Sequence, residues 1–419
     1  MNFDIRSNFQ QNILRVGILV FNHLTHIVFA TVFINGRGAD GYGEISFIFG
    51  SAFLLQIGVL IGSDQLLVKS DAGNSDEIAT FSYLVALLAS IGLILLVDSQ
   101  TGRSIVYLSN AISIFYLTSA CLQVRGSAKL ALVMKTSAVS LVFYFSIVLQ
   151  GVIVLNSSEA YDYTWSMLLT SALANFSFLV LFGLKSIATT FRRFQDFFLN
   201  CWNYLVSSLI LVSFSASFVV ANQADLIMLR FLSDPYDVGV YSYLSRVCTI
   251  AMLGHFSLST FLPRLFSEHF KCRTLDTLHV IIRHSLKFSM TFYFIFSLGI
   301  FIYLKFIQVT VDFADLKNVS VVIVMMLTIG INVATGLCGF ALTMSNQQNV
   351  AAIIAFGGAF SNIAINGLLI PIYGTLGAAF ATFCSTAFVY LTFSIVAIKR
   401  VGINTTVIGN LVNRDRRLI

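Results

Sequence analysis

Charge is scarce in this chain. Only 11% of its 419 residues are Asp, Glu, Lys or Arg, against roughly 25% in a soluble domain, too few to cover a water-facing surface. Proline is nearly absent. The three present, Pro235, Pro263 and Pro371, each fall at or just beyond the end of an apolar run, so the helices are expected to lack proline kinks. The six cysteines (Cys121, Cys201, Cys248, Cys272, Cys338 and Cys384) have no C-x-x-C spacing. Most lie in apolar runs and are read as small core hydrophobes, not as disulfides or metal ligands. A G-x-x-x-x-G-K-[ST] loop is missing, which excludes direct use of ATP through a P-loop. G-x-S-x-G and H-E-x-x-H are missing too, and no long polar stretch can house a soluble catalytic domain. The chain is therefore expected to be neither an enzyme nor a cofactor carrier. Its function has to be built inside, or at the rims of, a bundle of membrane helices.

What it has in abundance is apolar sequence, 57% of the residues. At about 20 residues per span this fills roughly 12 helices. Apolar windows fall at approximately 13–34, 45–68, 79–97, 105–124, 130–155, 163–184, 205–232, 239–262, 285–308, 318–344, 350–370 and 375–398. The fold class expected is an all-α, multi-pass integral membrane protein. The first apolar run carries Asp4 and Arg6 before it and no A-x-A-type site after it, so it reads as an uncleaved first helix.

Orientation follows from Lys and Arg, which stay on the cytoplasmic side. With the N-terminus inside, the inner segments hold Arg6, Lys69, Arg125, Lys129, Lys185, Arg192, Arg193, Arg264, Lys271, Arg273, Arg283, Lys399, Arg400, Arg414, Arg416 and Arg417. The outer ones hold only Arg37, Arg103, Lys305 and Lys317, together with most of the loop aspartates. Both termini are expected in the cytoplasm. The net charge of +6 is mostly this bias, scattered over many loops, which speaks against a nucleic-acid partner. Trp165 and Trp202 fall at span ends, where interfacial aromatics belong.

The chain repeats itself. Tyr42-Gly43-Glu44-Ile45-Ser46-Phe47 opens the second span and Val238-Gly239-Val240-Tyr241-Ser242-Tyr243 the eighth, an offset of 196 residues from Gly43 to Gly239. The same shift lays the first span on the seventh. The sequence thus reads as two six-helix bundles in parallel orientation, residues 1–200 and 201–398, followed by a basic tail at 399–419. Parallel repeats of this kind are a transporter architecture, with the path for cargo between the halves.

Ionisable residues at membrane depth cost about 2.5 to 3.5 kcal/mol each and normally face an interior or a wet cavity. Here they are Arg15, His23, His26, Asp64, Lys135, Asp225, Arg230, Arg246 and His255. On the first span Arg15, Asn22 and His26 lie within about 20° of one another at 100° per residue, flanked by His23. On the seventh, Ser208, Ser215, Asn222 and Asp225 share a sector, with Arg230 beyond. On the tenth, Thr328, Asn332, Thr335, Gly336 and Gly339 share a face. Arg15, Asn22, His26, Lys135, Asn222, Arg230, Arg246 and Asn332 are the candidate lining of a substrate cavity, the cations suited to an anionic cargo such as a phosphate. Asp64 and Asp225 are the candidates for coupling to a proton or sodium ion.

Plainer readings of the same residues stay open. Asp225 paired with Arg230 or Arg246 would be a structural ion pair, and Asn362, Asn366 and Gly358 would serve as helix glue. The i, i+3 pair His23 and His26 has no third ligand nearby, so no metal site is expected.

Several stretches together resemble one family. Asn35-Gly36-Arg37-Gly38-Ala39-Asp40-Gly41-Tyr42-Gly43 resembles the first connection of bacterial polysaccharide flippases, with Arg37-Gly38-Ala39-Asp40 departing from their Leu-Gly-Pro turn. Ala224-Asp225-Leu226-Ile227-Met228-Leu229-Arg230 followed by Val238-Gly239-Val240-Tyr241 is similar to their "D-x-x-x-L … vG-x-Y" signature, and Phe261-Leu262-Pro263-Arg264-Leu265 to a helix end. Asn362-Ile363-Ala364-Ile365-Asn366, Leu369-Ile370-Pro371-Ile372-Tyr373-Gly374, and Gly377-Ala378-Ala379 through Ala381-Thr382 resemble their most specific motif. The likeness covers essentially the whole chain. The family is the polysaccharide transporters, including O-antigen flippases, of the multidrug/oligosaccharidyl-lipid/polysaccharide exporter superfamily.

That resemblance implies a V-shaped pair of bundles around a central cavity, alternating between inward- and outward-facing states. It implies an undecaprenyl-pyrophosphate-linked oligosaccharide as cargo, turned from the cytoplasmic to the periplasmic leaflet of the bacterial inner membrane. A glycan polymerase and a chain-length regulator are implied as partners, beside the membrane lipids. Rival readings are a multidrug/cation antiporter of the same superfamily, a membrane glycan polymerase or ligase, and a scaffold of an export complex. The first would want an acidic cavity and the second a large outer loop, and this sequence has neither.

Overall fold

The computed structural model describes residues 5–60, 67, 75–125, 127–138, 140–145, 147, 163–182, 204, 206, 216–217, 219–259, 262–272, 275–306, 316–345, 347–407 and 409. Among them every regular element is helical. The first, α1 (Ile5–Leu60), is two helices joined at Gly38, whose φ of 78° and ψ of 170° break the ladder at one residue. Glycine takes that conformation without the clash a Cβ would bring. The connection expected over 35–43 is therefore helical on both sides of a single hinge residue.

Then follow α2 (Ser75–Leu96), α3 (Gln100–Val124), α4 (Ala128–Val133) with a π turn at Met134–Ala138, and α5 (Tyr163–Phe182). The second half of the chain holds α6 (219–232), α7 (Pro235–Thr249), α8 (Leu253–Ser259), α9 (Leu262–Lys271), α10 (Leu275–Phe306), α11 (Leu316–Thr335), α12 (Cys338–Met344), α13 (Gln348–Tyr373) and α14 (Thr375–Val396). Eight helical segments among the described residues are long and apolar enough to cross a membrane, the first running through both arms of α1. The chain is an all-α, multi-pass membrane protein. The tenth span ends earlier than its apolar run: α11 stops before Gly336, which has φ 68°, and α12 restarts two residues on. Parts of the fifth and seventh spans lie outside the described residues.

Packing divides the chain into two compact units, Phe47–Val219 and Met1–Ser46 together with Val220–Ile419. The unit of residues 47–219 is organised on α3, which is buried along nearly its whole length. Asn110 at its middle donates to Ser90 Oγ (3.0 Å) and accepts from Ser171 Oγ and Asn175 Nδ2 (both 2.9 Å), tying α2, α3 and α5 together. Tyr83 stacks on Phe178 at 4.6 Å between ring centroids. Arg125, just past the end of α3, donates to the Leu181 carbonyl (3.2 Å) and covers the Phe182 ring.

In the other unit the start of the second arm of α1, just past Gly38, packs on α7 through the two copies of the sequence repeat. A Cβ on Gly239 would stand 1.9 Å from the Ala39 carbonyl oxygen, and one on Gly43 would stand 2.3 Å from that of Pro235. The two glycines let backbone meet backbone, which places residues 1–46 with the second half of the chain. At the opposite end of this unit, Leu258, Leu262, Phe266, Leu278, Ile282 and Ile403 form an apolar core. Ile403 is fully buried and Thr405 Oγ1 donates to the Thr335 carbonyl (2.8 Å). The segment following α14 thus begins as a packed strap over 402–407, where the sequence reading expected a tail from 399.

Gly239→Ala should lower stability by roughly 1 to 3 kcal/mol, because its methyl cannot fit against a carbonyl. Gly17→Ala, where a Cβ meets nothing within 4 Å, should leave stability unchanged or slightly raised. Thermal melts in detergent compare the two.

Candidate functional site

Asp225, at the end of the second turn of α6, is 4% exposed. A carboxylate buried at membrane depth needs donors, because nothing apolar can solvate its charge. It has four. The Tyr241 hydroxyl of α7 donates to Oδ2 (2.7 Å) and so does the Thr382 hydroxyl of α14. On Oδ1 it accepts from Asn366 Nδ2 (2.7 Å) and Asn362 Nδ2 (3.2 Å), one turn apart on α13. Asn366 also donates to Asn362 Oδ1 (3.0 Å), and Asn362 reaches Ser385 Oγ at 3.4 Å. Four helices meet on one carboxylate.

The α13–α14 turn explains why Thr382 arrives there. Gly374 caps α13 with φ 56°, and a Cβ on Gly377 would stand 2.4 Å from the Leu369 carbonyl oxygen. Small residues let α14 fold tightly back along α13, bringing Thr382 and Ser385 beside Asn362.

Asn366 is fully buried, yet its Oδ1 has no hydrogen-bond partner. An amide can turn end for end, exchanging donor for acceptor. Asn362 and Asn366 so turned would add amide oxygens to those of Asp225 and Thr382. That is a set of hard oxygens, the donors that hard cations prefer. A protonated Asp225 would satisfy the same surroundings with a hydroxyl of its own. No group of three His, Cys, Asp or Glu suited to a transition metal occurs among the described residues.

The ion pairs considered for Asp225 do not form: neither Arg230 nor Arg246 touches it, and its partners are neutral. Arg246, on another face of α7, is half-buried and near enough to His23 and His26 of α1 for their charges to interact. His23 Nδ1 lies 2.9 Å from the Leu19 carbonyl oxygen and its ring 6.4 Å from that of Phe256. Asn22 beside it is 8% exposed, with a buried and unpartnered Oδ1. Further along α1, Thr31, Tyr243 and Tyr303 are linked through their hydroxyls at 3.5 and 3.2 Å. The structure thus brings Asn22, His23, His26 and Arg246 into one unit.

The remaining candidates separate. Asn332 is buried in α11 with an unpartnered Oδ1. Asn222 is exposed one turn before Asp225, and Arg230 is half-exposed near the end of α6. Lys135, in the unit of residues 47–219, is exposed and stands 5.1 Å over the Tyr116 ring. Asp64 and the Arg15 side chain lie outside the described residues. Tyr241 and Thr382 were missed as site residues, and Asn362 and Asn366 entered only as helix glue. Yet all four, with Asp225, are polar positions of two motifs of the resembling family, so membership in those two motifs is the signal that points to them.

Asp225→Ala strands four buried donors and should lower stability by on the order of 3 kcal/mol or more. Lys135→Ala, which loses one exposed cation–π contact, should lower it by less than about 1 kcal/mol. Melting curves of the two purified variants measure the difference.

No protein-family model matches the chain, and no curated relative matches it. Solved structures do. The inward closed conformation of the lipid II flippase MurJ is similar over 91% of this chain and 87% of that one, with a TM-score of 0.63 at 16% identity. The multidrug transporter DinF-BH, a MATE protein solved in complex with R6G, is similar over 96% and 97%, with a TM-score of 0.60 at 14% identity. A transporter from Pyrococcus furiosus, described as having a binding pocket of reversed polarity, is similar over 93% and 94%, with a TM-score of 0.51 at 11% identity. At such identities the likeness speaks for the fold alone: this chain folds like these transporter structures.

Proposed function

We propose that this protein is a flippase that carries an undecaprenyl-pyrophosphate-linked oligosaccharide, an O-antigen or related surface-glycan unit, from the cytoplasmic to the periplasmic leaflet. One observation carries the reading. Arg246 has no hydrogen-bond or ion-pair partner among the described residues, and the groups beside it are two histidines. An unbalanced cation in a membrane helix wants an anion, and a guanidinium fits two phosphate oxygens at once. A diphosphate supplies them. The sugars need a wet polar path, and the prenyl tail stays in lipid. A drug antiporter built for cations would want the opposite sign.

The bodies that alternate are built from the halves 1–200 and 201–398, with residues 1–46 packed into the second, and both termini are cytoplasmic in the bacterial inner membrane. Asn222, Arg230 and Asn332 belong to the cargo path, joined by Arg15 and Lys135. A proton or sodium ion is the coupled substrate. Asp225, Asn362, Asn366 and Thr382 supply its oxygens, and Asp64 is a second candidate. The unpartnered Asn366 Oδ1 supports a cation there, because a buried acceptor without a donor is otherwise a cost of about 1 to 3 kcal/mol. A glycan polymerase and a chain-length regulator act on the delivered cargo.

Deleting the gene in a strain with no second flippase should strand the lipid-linked glycan in the cytoplasmic leaflet, and delivery at the normal rate would overturn the proposal. Complementation with Arg246→Gln, present at normal level, should restore less than about a tenth of delivery. Complementation with Asp225→Asn should lower delivery and abolish its dependence on the ion gradient. A scaffold would tolerate both.

A further inference from the structure

Another buried ionisable side chain of this unit is surrounded quite differently from Asp225. His255 of α8 is 6% exposed, yet it has no hydrogen-bond or charge partner among the described residues. Gly254 beside it draws α8 close to α10, since a Cβ there would stand 2.6 Å from the Phe292 Cβ. That approach sets His255 against Ser285 and Ser289, one turn apart on α10, and the three line one small cavity. Ser289 is 2% exposed. Neither serine hydroxyl has a partner among the described residues, although Ser297 on the same helix donates to the Tyr293 carbonyl (2.6 Å). Buried polar groups are bonded as a rule, so three without partners around one space mark a place built for something other than packing.

The rest of the wall is apolar and includes Leu258, Ile282 and Leu286. The space is roomy enough for about one water molecule. It is closed by the strap that follows α14. Thr405 lines it, and the Thr405 carbonyl oxygen would stand 2.5 Å from a Cβ on Gly336, the residue at which α11 ends. Ile403 is fully buried in the apolar core that shares these walls.

We infer that His255 and the strap over 402–407 form a proton-operated latch, in which the strap closes over the neutral ring and a proton taken up by the ring releases it. The cause is electrostatic. Asp225 holds its place with four donors, but a charge on His255 would meet leucine, isoleucine and two hydroxyls, which cannot replace water around it. Opening the strap lets water in.

No charged group from the surrounding elements stands in for that water. α7 ends with Arg246 and Cys248, and α1 brings His23 against the neighbouring Phe256. α9 carries His269. α10 carries His279, Arg283, His284, Lys287 and Tyr293, the last donating to the Met326 carbonyl. The side chains of Arg264, Glu268, Lys271 and Asp276 lie outside the described residues. α12 opens with the buried Cys338. Residues 402–407 have no titratable side chain, and of Lys399 and Arg400 before them, Arg400 donates to Gln347. None of these lines the cavity.

Linkage fixes the sign. Proton and closed strap exclude one another, so opening gains as pH falls below about 6.5, where an imidazole in water takes its proton, by up to about tenfold per unit. The latch uses neither Arg246 nor Asp225, so it stands or falls apart from the flippase reading.

The test is hydrogen exchange of the full chain in phosphatidylcholine nanodiscs, read by mass spectrometry as protection relative to the free-peptide rate at each pH. In wild type the amides of 402–407 should lose about tenfold in protection between pH 8 and pH 5.5, while those of α13 keep theirs. His255→Gln, which cannot take the charge, should protect 402–407 equally at both pH values, and His255→Leu takes its place should that variant not fold. Wild-type protection over 402–407 that is the same at both pH values overturns the latch. So does the same loss in the variant, which would assign it to another group, or an equal loss over α13, which would make it a general loosening of the fold.

Discussion

One carboxylate in a place without water sets the terms for the second half of this chain. Asp225 cannot stay at membrane depth unless donors from other helices are held against it, and each of those donors is fixed by a local feature of sequence. Asn362 and Asn366 are spaced to share one face of α13. Thr382 reaches Oδ2 because Gly374 and Gly377 fold α14 tightly back. Tyr241 arrives because Gly239, two residues before it, lets α7 press its backbone against α1. The unit of residues 47–219 has a hub of the same kind, but there the centre is the neutral amide of Asn110. Among the described residues, the hub built on a buried carboxylate lies in the unit of residues 1–46 and 220–419.

α7 is where the two halves of the proposed function meet. One of its faces carries Tyr241 to Asp225, and another carries Arg246 toward His23 and His26. Five residues separate them, a rise of about 7.5 Å. Under the proposed function, a proton or ion arriving at Asp225 would change what Tyr241 donates to, and a rigid helix would pass the resulting shift to Arg246. That is the kind of shared element through which two sites acquire a coupling free energy.

Much of this was legible in the sequence. The low charge and the apolar periodicity gave the helices and their membrane setting, and the repeat at Gly43 and Gly239 marked a real contact. The breaks at Gly38 and Gly336 were not legible, because hydrophobicity runs smoothly across both and only the backbone angle distinguishes them. The packed strap at Ile403 and Thr405 was hidden by the basic residues on either side of it. Asp225 was found for its charge, but its partners were overlooked: Asn, Thr and Tyr in a membrane helix serve as glue so often that periodicity alone could not tell a ligand from a contact. Membership in the two family motifs could, since Asp225, Tyr241, Asn362, Asn366 and Thr382 lie up to 157 residues apart in sequence and converge in space.

The most direct test of the account is translocation by the purified protein. Liposomes carrying it, with a prenyl diphospho-oligosaccharide confined to one leaflet, are probed for the appearance of sugar on the other side by a membrane-impermeant lectin. The account predicts movement that is faster than in protein-free liposomes, driven by an ion gradient and blocked by excess doubly esterified diphosphate. Movement no faster than in empty liposomes, under any gradient of protons or sodium, would contradict it.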